Sequence, residues 1–202
     1  VVKSKIRYLV QQNKTIVGAR KCKLRAVDYS DERRFLDEHH IQGASSARSK
    51  VIGAYYKDKL VAIMGWQKKK KYLEITRFAC DTKASYPGLF SKMMKYMIKD
   101  LNFVGDIVSF SNNGHSNGGV YKAAGFSLDK ILGPAYWYTC DYIVRENRQG
   151  YMKDKIAKKF NFDMTDYTEW QAMKELGYDR IWDSGKIRWK LEVTGGDSSF
   201  DN

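Results

Sequence analysis

Between Leu89 and Leu101 the apolar residues Phe90, Met93, Met94, Met97 and Ile98 recur at helical spacing. That spacing gathers them on one stripe of an α-helix, which must bury itself against another element. Three strand-length segments come just before it. Val51–Tyr56 and Leu60–Gln67 are separated by Lys57-Asp58-Lys59, and Tyr72–Cys80 follows the run Lys68–Lys71. Short turns between such segments read as antiparallel hairpins. The loop Asp81–Gly88 then leads into the helix. Along Tyr72–Cys80, Leu73, Ile75 and Arg77 alternate with Glu74, Thr76 and Phe78, which leaves the inward face open. Strands alternating with helices predict an α/β domain, a mixed central sheet flanked by helices.

Outside this stretch, Lys23–Val27 reads as a strand. Ser30 is expected to cap a helix over Asp31–His39, with Asp31 and Glu32 at its positive end and Phe35 and Leu36 inward. Gly43 ends that region. Ile107–Phe110 is a short strand and Asn112–Gly119 a loop. Val120–Ala124 is a short helix stopped by Gly125, and Phe126–Leu128 leads to a strand region at Ala135–Tyr142. Arg145–Phe160 reads as a basic helix and Thr168–Leu176 as another. Asp179–Leu191 holds strand pieces around Ser184-Gly185. The expected organisation is a basic arm over 1–19, a domain over 20–192 and a polar tail over 193–202. The domain divides into a core, 20–142, and a C-terminal extension, 143–192.

Apolar residues make up 43% of the 202, enough for one sizeable core. No run approaches the length that spans a bilayer, and no N-terminal stretch resembles a secretion signal. Cys22, Cys80 and Cys140 show no metal-like spacing, and an odd count argues against a disulfide framework. The expectation is a cytoplasmic protein with reduced, mostly buried cysteines and no metal site.

The net charge of +13 points to a polyanionic partner. Basic residues cluster at Lys3, Lys5 and Arg7, at Arg20, Lys21, Lys23 and Arg25, at Lys68, Lys69, Lys70 and Lys71, and at Lys153, Lys155, Lys158 and Lys159. Phosphate neutralisation by nucleic acid, above all DNA, is the expected use. No strongly amphipathic apolar face accompanies the charge, which argues against a membrane surface.

Two segments carry a family likeness. Ile75-Thr76-Arg77-Phe78 through Gly88 and Met93 resembles the central strand, phosphate-binding loop and following helix of the GNAT (acetyltransferase-like) family. Asn117-Gly118-Gly119-Val120-Tyr121-Lys122-Ala123-Ala124-Gly125-Phe126 resembles that family's second motif. The likeness covers about residues 20–142. Further marks make the chain similar to GNAT-like proteins of bacteriophages, including the Mom-like DNA-modification proteins. They are Ala19-Arg20-Lys21-Cys22, the stretch from Phe35-Leu36 to His39-His40-Ile41-Gln42-Gly43, Ser91-Lys92, Ser109-Phe110-Ser111-Asn112, and Arg180-Ile181-Trp182-Asp183-Ser184-Gly185-Lys186.

The resemblance implies a GNAT-like transferase that modifies a base in DNA to evade restriction. His40, Arg77, Ser91 and Tyr121 would line its catalytic cleft. It implies acetyl-CoA or another acyl donor, held by Gly88, Ser91 and Lys92 at a helix N-terminus, where free N–H groups meet phosphate. Two departures stand out. Phe90 occupies a position that is normally Gly or Ala, and the family's aspartate before the second motif falls at Ser111 or Asn112. Two other readings stay open: a non-catalytic DNA-binding module on the same fold, and an acetyl-CoA-dependent N-acetyltransferase acting on a protein or small amine. By residue type, His40 suits a base near neutral pH, a group that orients the edge of a nucleobase, or a simple helix-end contact. Ser91 suits a phosphate ligand or a cap. Tyr121 suits a proton donor or a packed aromatic. Arg77 inside an apolar strand requires a partner or a ligand.

Overall fold

The computed structural model describes residues 15–45 and 49–195, with Ile6 alone before them. Lys3, Lys5 and Arg7 of the expected arm, and the tail beyond Gly195, lie outside the described residues. The chain forms two compact units. One comprises Val1–Ser111, Gly118–Lys130 and Arg188–Asn202, and the other Asn112–Asn117 and Ile131–Ile187.

A seven-stranded sheet organises the first unit. Its strands are β1 (Lys23–Arg25), β2 (Lys50–Tyr56), β3 (Lys59–Lys68), β4 (Leu73–Cys80), β5 (Gly105–Asn112), β6 (Ser127–Leu132) and β10 (Lys186–Val193). They lie in the order β1-β2-β3-β4-β5-β10-β6. The helices are α1 (Tyr29–His39), α2 (Leu89–Asp100) and the short α3 (Gly119–Ala123).

β2 and β3 form the predicted hairpin. Tyr56 pairs with Lys59, so the turn is Lys57-Asp58, both at positive φ, 48° and 59°. Two such residues make the turn whose twist matches the strands it joins. The stripe on α2 is buried as its spacing predicts, with Leu89, Phe90, Met93, Met94, Met97 and Ile98 inward. Phe35 and Leu36 of α1 pack with Ile63 and Ala79, whereas Phe78 meets Phe90 of α2. Neighbours on a strand point to opposite faces, so α1 and α2 cover opposite sides of the sheet.

β4 and β5 run parallel and pair only at Leu73↔Ile107 and Glu74↔Val108. β4 also carries a bulge. Gly65 of β3 faces Arg77 and Trp66 faces Ile75, leaving Thr76 as the extra residue.

The second unit holds β7 (Tyr136–Thr139), β8 (Glu146–Asn147) and β9 (Asp179–Trp182) in the order β8-β7-β9. Helices α4 (Lys153–Phe160) and α5 (Glu169–Glu175) belong to it. Its core is Tyr138, Tyr151, Ile156, Ala172 and Met173. Thr168 and Gln171 close a capping box at the start of α5, which satisfies two otherwise unpaired N–H groups.

Several local expectations change. α1 begins at Tyr29 after Asp28, so Ser30 lies inside the first turn rather than capping it. The basic stretch over 145–160 is not one helix. Asn147 accepts the Gln149 N–H and opens a 3-10 turn, Arg148–Tyr151, before α4 starts. Phe126–Leu128 does not lead to a core strand at 135–142: β6 is itself the sheet strand, and β7 belongs to the other sheet. β10, read as part of the extension, lies inside the large sheet between β5 and β6. Cys140 is exposed, while Cys22 is buried.

Candidate functional site

The divergence of β4 from β5 creates the most chemically provided region of the first unit. Beyond Glu74 and Val108 the two strands share no paired residues, and the bulge at Thr76 lies immediately past that point. A bulged residue stands out of the ladder, so β4 has backbone here that its neighbours do not fully engage. Ser109 of β5 partly spans the opening, its hydroxyl oxygen lying 3.3 Å from the Ile75 carbonyl.

Tyr121 of α3 sits beside Ser109. The Ser109 hydroxyl donates to the Tyr121 oxygen at 3.0 Å, and Tyr121 donates to the Phe110 carbonyl at 3.3 Å. Burial pushes the phenol above its ordinary pKa, with the Ser109 hydrogen bond opposing, so Tyr121 holds its proton at neutral pH. Its ring stacks on Trp189 of β10 at 5.9 Å and meets Phe90 edge-on at 5.5 Å. Phe90 in turn meets Phe78 at 5.0 Å. The large residue at the expected small position therefore bridges β4 and α3 as packing. Trp189 is anchored by its indole N–H, which donates to Ser111 at 2.8 Å. That bond occupies the position where the resemblance placed a carboxylate. Gly118 must be glycine here: its φ is +76° and an added Cβ would lie 2.0 Å from Trp189.

Arg77 acts on the loop after α1, close enough for its charge to be felt at His40. Arg77 donates from Nε to the Gly43 carbonyl at 3.0 Å and from a terminal nitrogen to Thr76 O at 2.8 Å. Its partners are thus carbonyls of the bulge and of the loop after α1. Burial, then the Arg77 charge, lowers the His40 pKa to about 4. His40 Nδ1 accepts the Gln42 N–H at 3.1 Å. A neutral imidazole with Nδ1 as acceptor carries its proton on Nε2. His40 therefore offers a donor at Nε2, which suits the orienting role among those open for it.

The expected cofactor residues lie at the start of α2. Gly88 is the N-cap in the left-handed region, with no side chain capping the helix. An added Cβ there would approach only Ala19, at 3.7 Å. Ser91 is half-buried in the first turn. Lys92 serves a different end: its ammonium donates to the carbonyls of Ala19 and Cys22, at 3.1 and 2.6 Å. The segment Thr15–Ala19 lies along the loop before α2. Val17 and Ala19 donate to Ser85 O and Pro87 O, and Ser85 donates to Thr15 O. The sequence held no signal for this pairing.

The basic residues divide unevenly. The second unit carries nine Lys or Arg against nine Asp or Glu, so the whole excess of +13 belongs to the first unit. Lys21, Lys23, Lys68, Lys70 and Lys71 are exposed there. Lys69 is held by Gln67 at 2.8 Å and Glu74 at 3.7 Å. Lys153 and Lys155 are exposed on the balanced unit, where Lys155 caps Gln149 O. Among the described residues there is no cluster of three or more potential metal ligands, and no helix long and apolar enough to cross a membrane.

No family model matches the sequence, and no curated protein matches it. Solved structures do resemble the fold. A putative acetyltransferase from Pyrococcus horikoshii superposes with a TM-score of 0.55 at 10% identity, covering 87% of this chain and 90% of that one. The ribosomal-protein-S18-alanine N-acetyltransferase from Escherichia coli gives 0.53 at 12% identity, covering 87% and 97%. A GNAT family acetyltransferase from Elizabethkingia anophelis, solved with acetyl-CoA bound, gives 0.51 at 13% identity, covering 86% and 99%. The architecture is the α/β GNAT fold, with the parallel β4–β5 pair at its centre. The chain is acetyltransferase-like in fold, and a fold by itself names no substrate.

Proposed function

We propose that this chain is an acyltransferase moving an acyl group from a thioester to an amine. The observation that carries the reading is the parting of β4 from β5 beyond Glu74–Val108, with Thr76 bulged beside it. Backbone left out of the ladder suits a carbonyl lying against the strand, and a preorganised N–H there stabilises charge developing on its oxygen. Tyr121, protonated at neutral pH, holds a proton that a departing sulfur needs. Ser109 positions that hydroxyl. His40, with its proton on Nε2, is suited to orienting an acceptor rather than deprotonating it.

Coenzyme A is the donor the fold implies, and the start of α2 fits its phosphates. Gly88 permits close approach, and no side chain caps the helix. When bound, it supplies the activated acyl thioester. The backbone of Gly88–Ser91 would hold the phosphates. Lys92 is already engaged by Ala19 and Cys22 and takes no part.

The charge partition favours one acceptor class, an amine carried on nucleic acid, including a base in DNA as in Mom-like proteins. A base must leave the duplex or be unpaired to be reached. Calorimetric titration with acetyl-CoA, followed by mass spectrometry of candidate acceptors, tests both levels. Acetyl-CoA is expected to bind, with Tyr121→Phe retaining binding and slowing transfer. Absence of binding at millimolar donor refutes the reading. Nucleoside mass spectrometry on DNA from expressing cells decides the acceptor: a new nucleoside supports the nucleic-acid reading, and an unchanged profile with transfer to free amines leaves only the general one.

A further inference from the structure

Thr76 stands where β4 has lost the support of its neighbours. β3 passes it over in register, and β5 has parted after Glu74. Side chains hold it instead. Arg77 donates to its carbonyl at 2.8 Å, and its hydroxyl lies 3.0 Å from that of Ser49, just ahead of β2. A polar chain continues from there. Gln67 of β3 donates from Nε2 to Ser49 Oγ at 3.3 Å, and Lys69 donates to Gln67 Oε1 at 2.8 Å. Lys69 also pairs at 3.7 Å with Glu74, back on β4. An ammonium can only donate, so Lys69 fixes which end of the Gln67 amide faces Ser49. The chain thus begins and ends on β4 and ties the bulge to β3 and to the start of β2. Gly65 makes the room for it: a Cβ there would lie 3.2 Å from Thr76 Oγ1 and 3.6 Å from Ser49 Cβ.

A backbone donor that meets developing charge must stand in place before the reaction, because reorganisation would cancel its advantage. At a bulge the ladder is locally disrupted and does not supply that order. A half-buried hydrogen-bonded chain does, since each member restricts the next. We infer that Ser49 and Gln67 are positioning residues for acyl transfer. They fix the Thr76 side chain, and through it the bulged backbone against which the thioester carbonyl lies. Ser49 and Gln67 act through Thr76 and touch no reacting atom. The inference rests on the acyl-transfer reading and adds to it two residues that lie outside both family motifs.

Acetyl-CoA isotopically labelled at the thioester carbonyl carbon provides the test, because it needs no acceptor. Difference infrared spectroscopy of the bound donor reads the hydrogen bond to its carbonyl oxygen, and calorimetry reads its affinity. On the parent chain the carbonyl stretch is expected to fall below that of free acetyl-CoA. Ser49→Ala and Thr76→Val are expected to return it toward the free value, while affinity falls by no more than about tenfold, the scale of one hydrogen bond. Thr76→Ser keeps the hydroxyl and should behave as the parent does. Gln67→Leu cuts the chain one bond further out and carries the test if Ser49→Ala fails to fold. In the ligand-free protein, the amide resonances of residues 75–77 should move in Ser49→Ala. A carbonyl shifted on the parent and equally shifted on the variants overturns the positioning roles and leaves acyl transfer standing. Amide resonances unmoved by Ser49→Ala overturn the hold on the bulge whether or not the donor binds. A parent that binds no acetyl-CoA refutes acyl transfer itself, and the inference falls with it.

Discussion

Acidification should destabilise this protein through His40 before its carboxylates are protonated. The ordinary histidine value of 6.5 falls to about 4 in the folded state. Below pH 6.5 the unfolded chain therefore binds a proton that the folded chain refuses. Stability is full above pH 6.5, falls as the pH drops toward 4, and loses nothing further from this group below that. At about 1.36 kcal/mol per unit, the loss is on the order of 3 kcal/mol, a large share of the typical stability of a domain. Urea unfolding of the parent and His40→Gln across pH 7.5 to 3.5 isolates the effect, because glutamine does not titrate. The two stabilities should converge as pH falls. Proton NMR of the His40 ring gives the folded pKa directly, and nitrogen shifts at neutral pH should report the Nε2–H tautomer. Burial is the larger cause, so Arg77→Met should raise the value only part of the way back. A ring titrating near 6.5, or two stability curves falling in parallel, would refute the reasoning.

Two further outcomes follow from geometry. Gly118→Ala should cost about 3 kcal/mol or more, from a positive φ combined with a clash that a Trp189 ring cannot absorb. Gly133→Ala, with nothing within 4 Å of the added carbon, is the control in the same denaturant series. Lys92→Met should leave the helix stripe intact but release the carbonyls of Ala19 and Cys22. About 1–2 kcal/mol of stability should go with it. Hydrogen exchange should then speed up locally over residues 15–22, and exchange unchanged there would show that Lys92 does not hold this segment.

Elements with a local cause could be read from the chain alone. Phe90, Met93, Met94, Met97 and Ile98 made α2, and their spacing needs no partner to be read. The Lys57-Asp58 turn, the helix start at Thr168 and the Tyr121 motif were likewise legible, because each is built within a few residues. The α/β class followed from the order of such elements, and the GNAT likeness from two motifs each continuous in the chain. The site was legible only as a set of names. That the Arg77 charge acts on His40 depends on the loop after α1, whose Gly43 carbonyl accepts from Arg77, reaching a bulge whose register involves β3 as well. The sequence left His40 open between a base and an orienting group; the Gln42 N–H on its Nδ1 lone pair is a bond only the folded loop reveals. Trp189, which supports Tyr121, lies 68 positions further along the chain. β10 had no mark placing it between β5 and β6, since strand pairing at long range depends on packing across the whole sheet rather than on local propensity. The net charge was a property of composition, but its confinement to one unit was decided by how the chain divides.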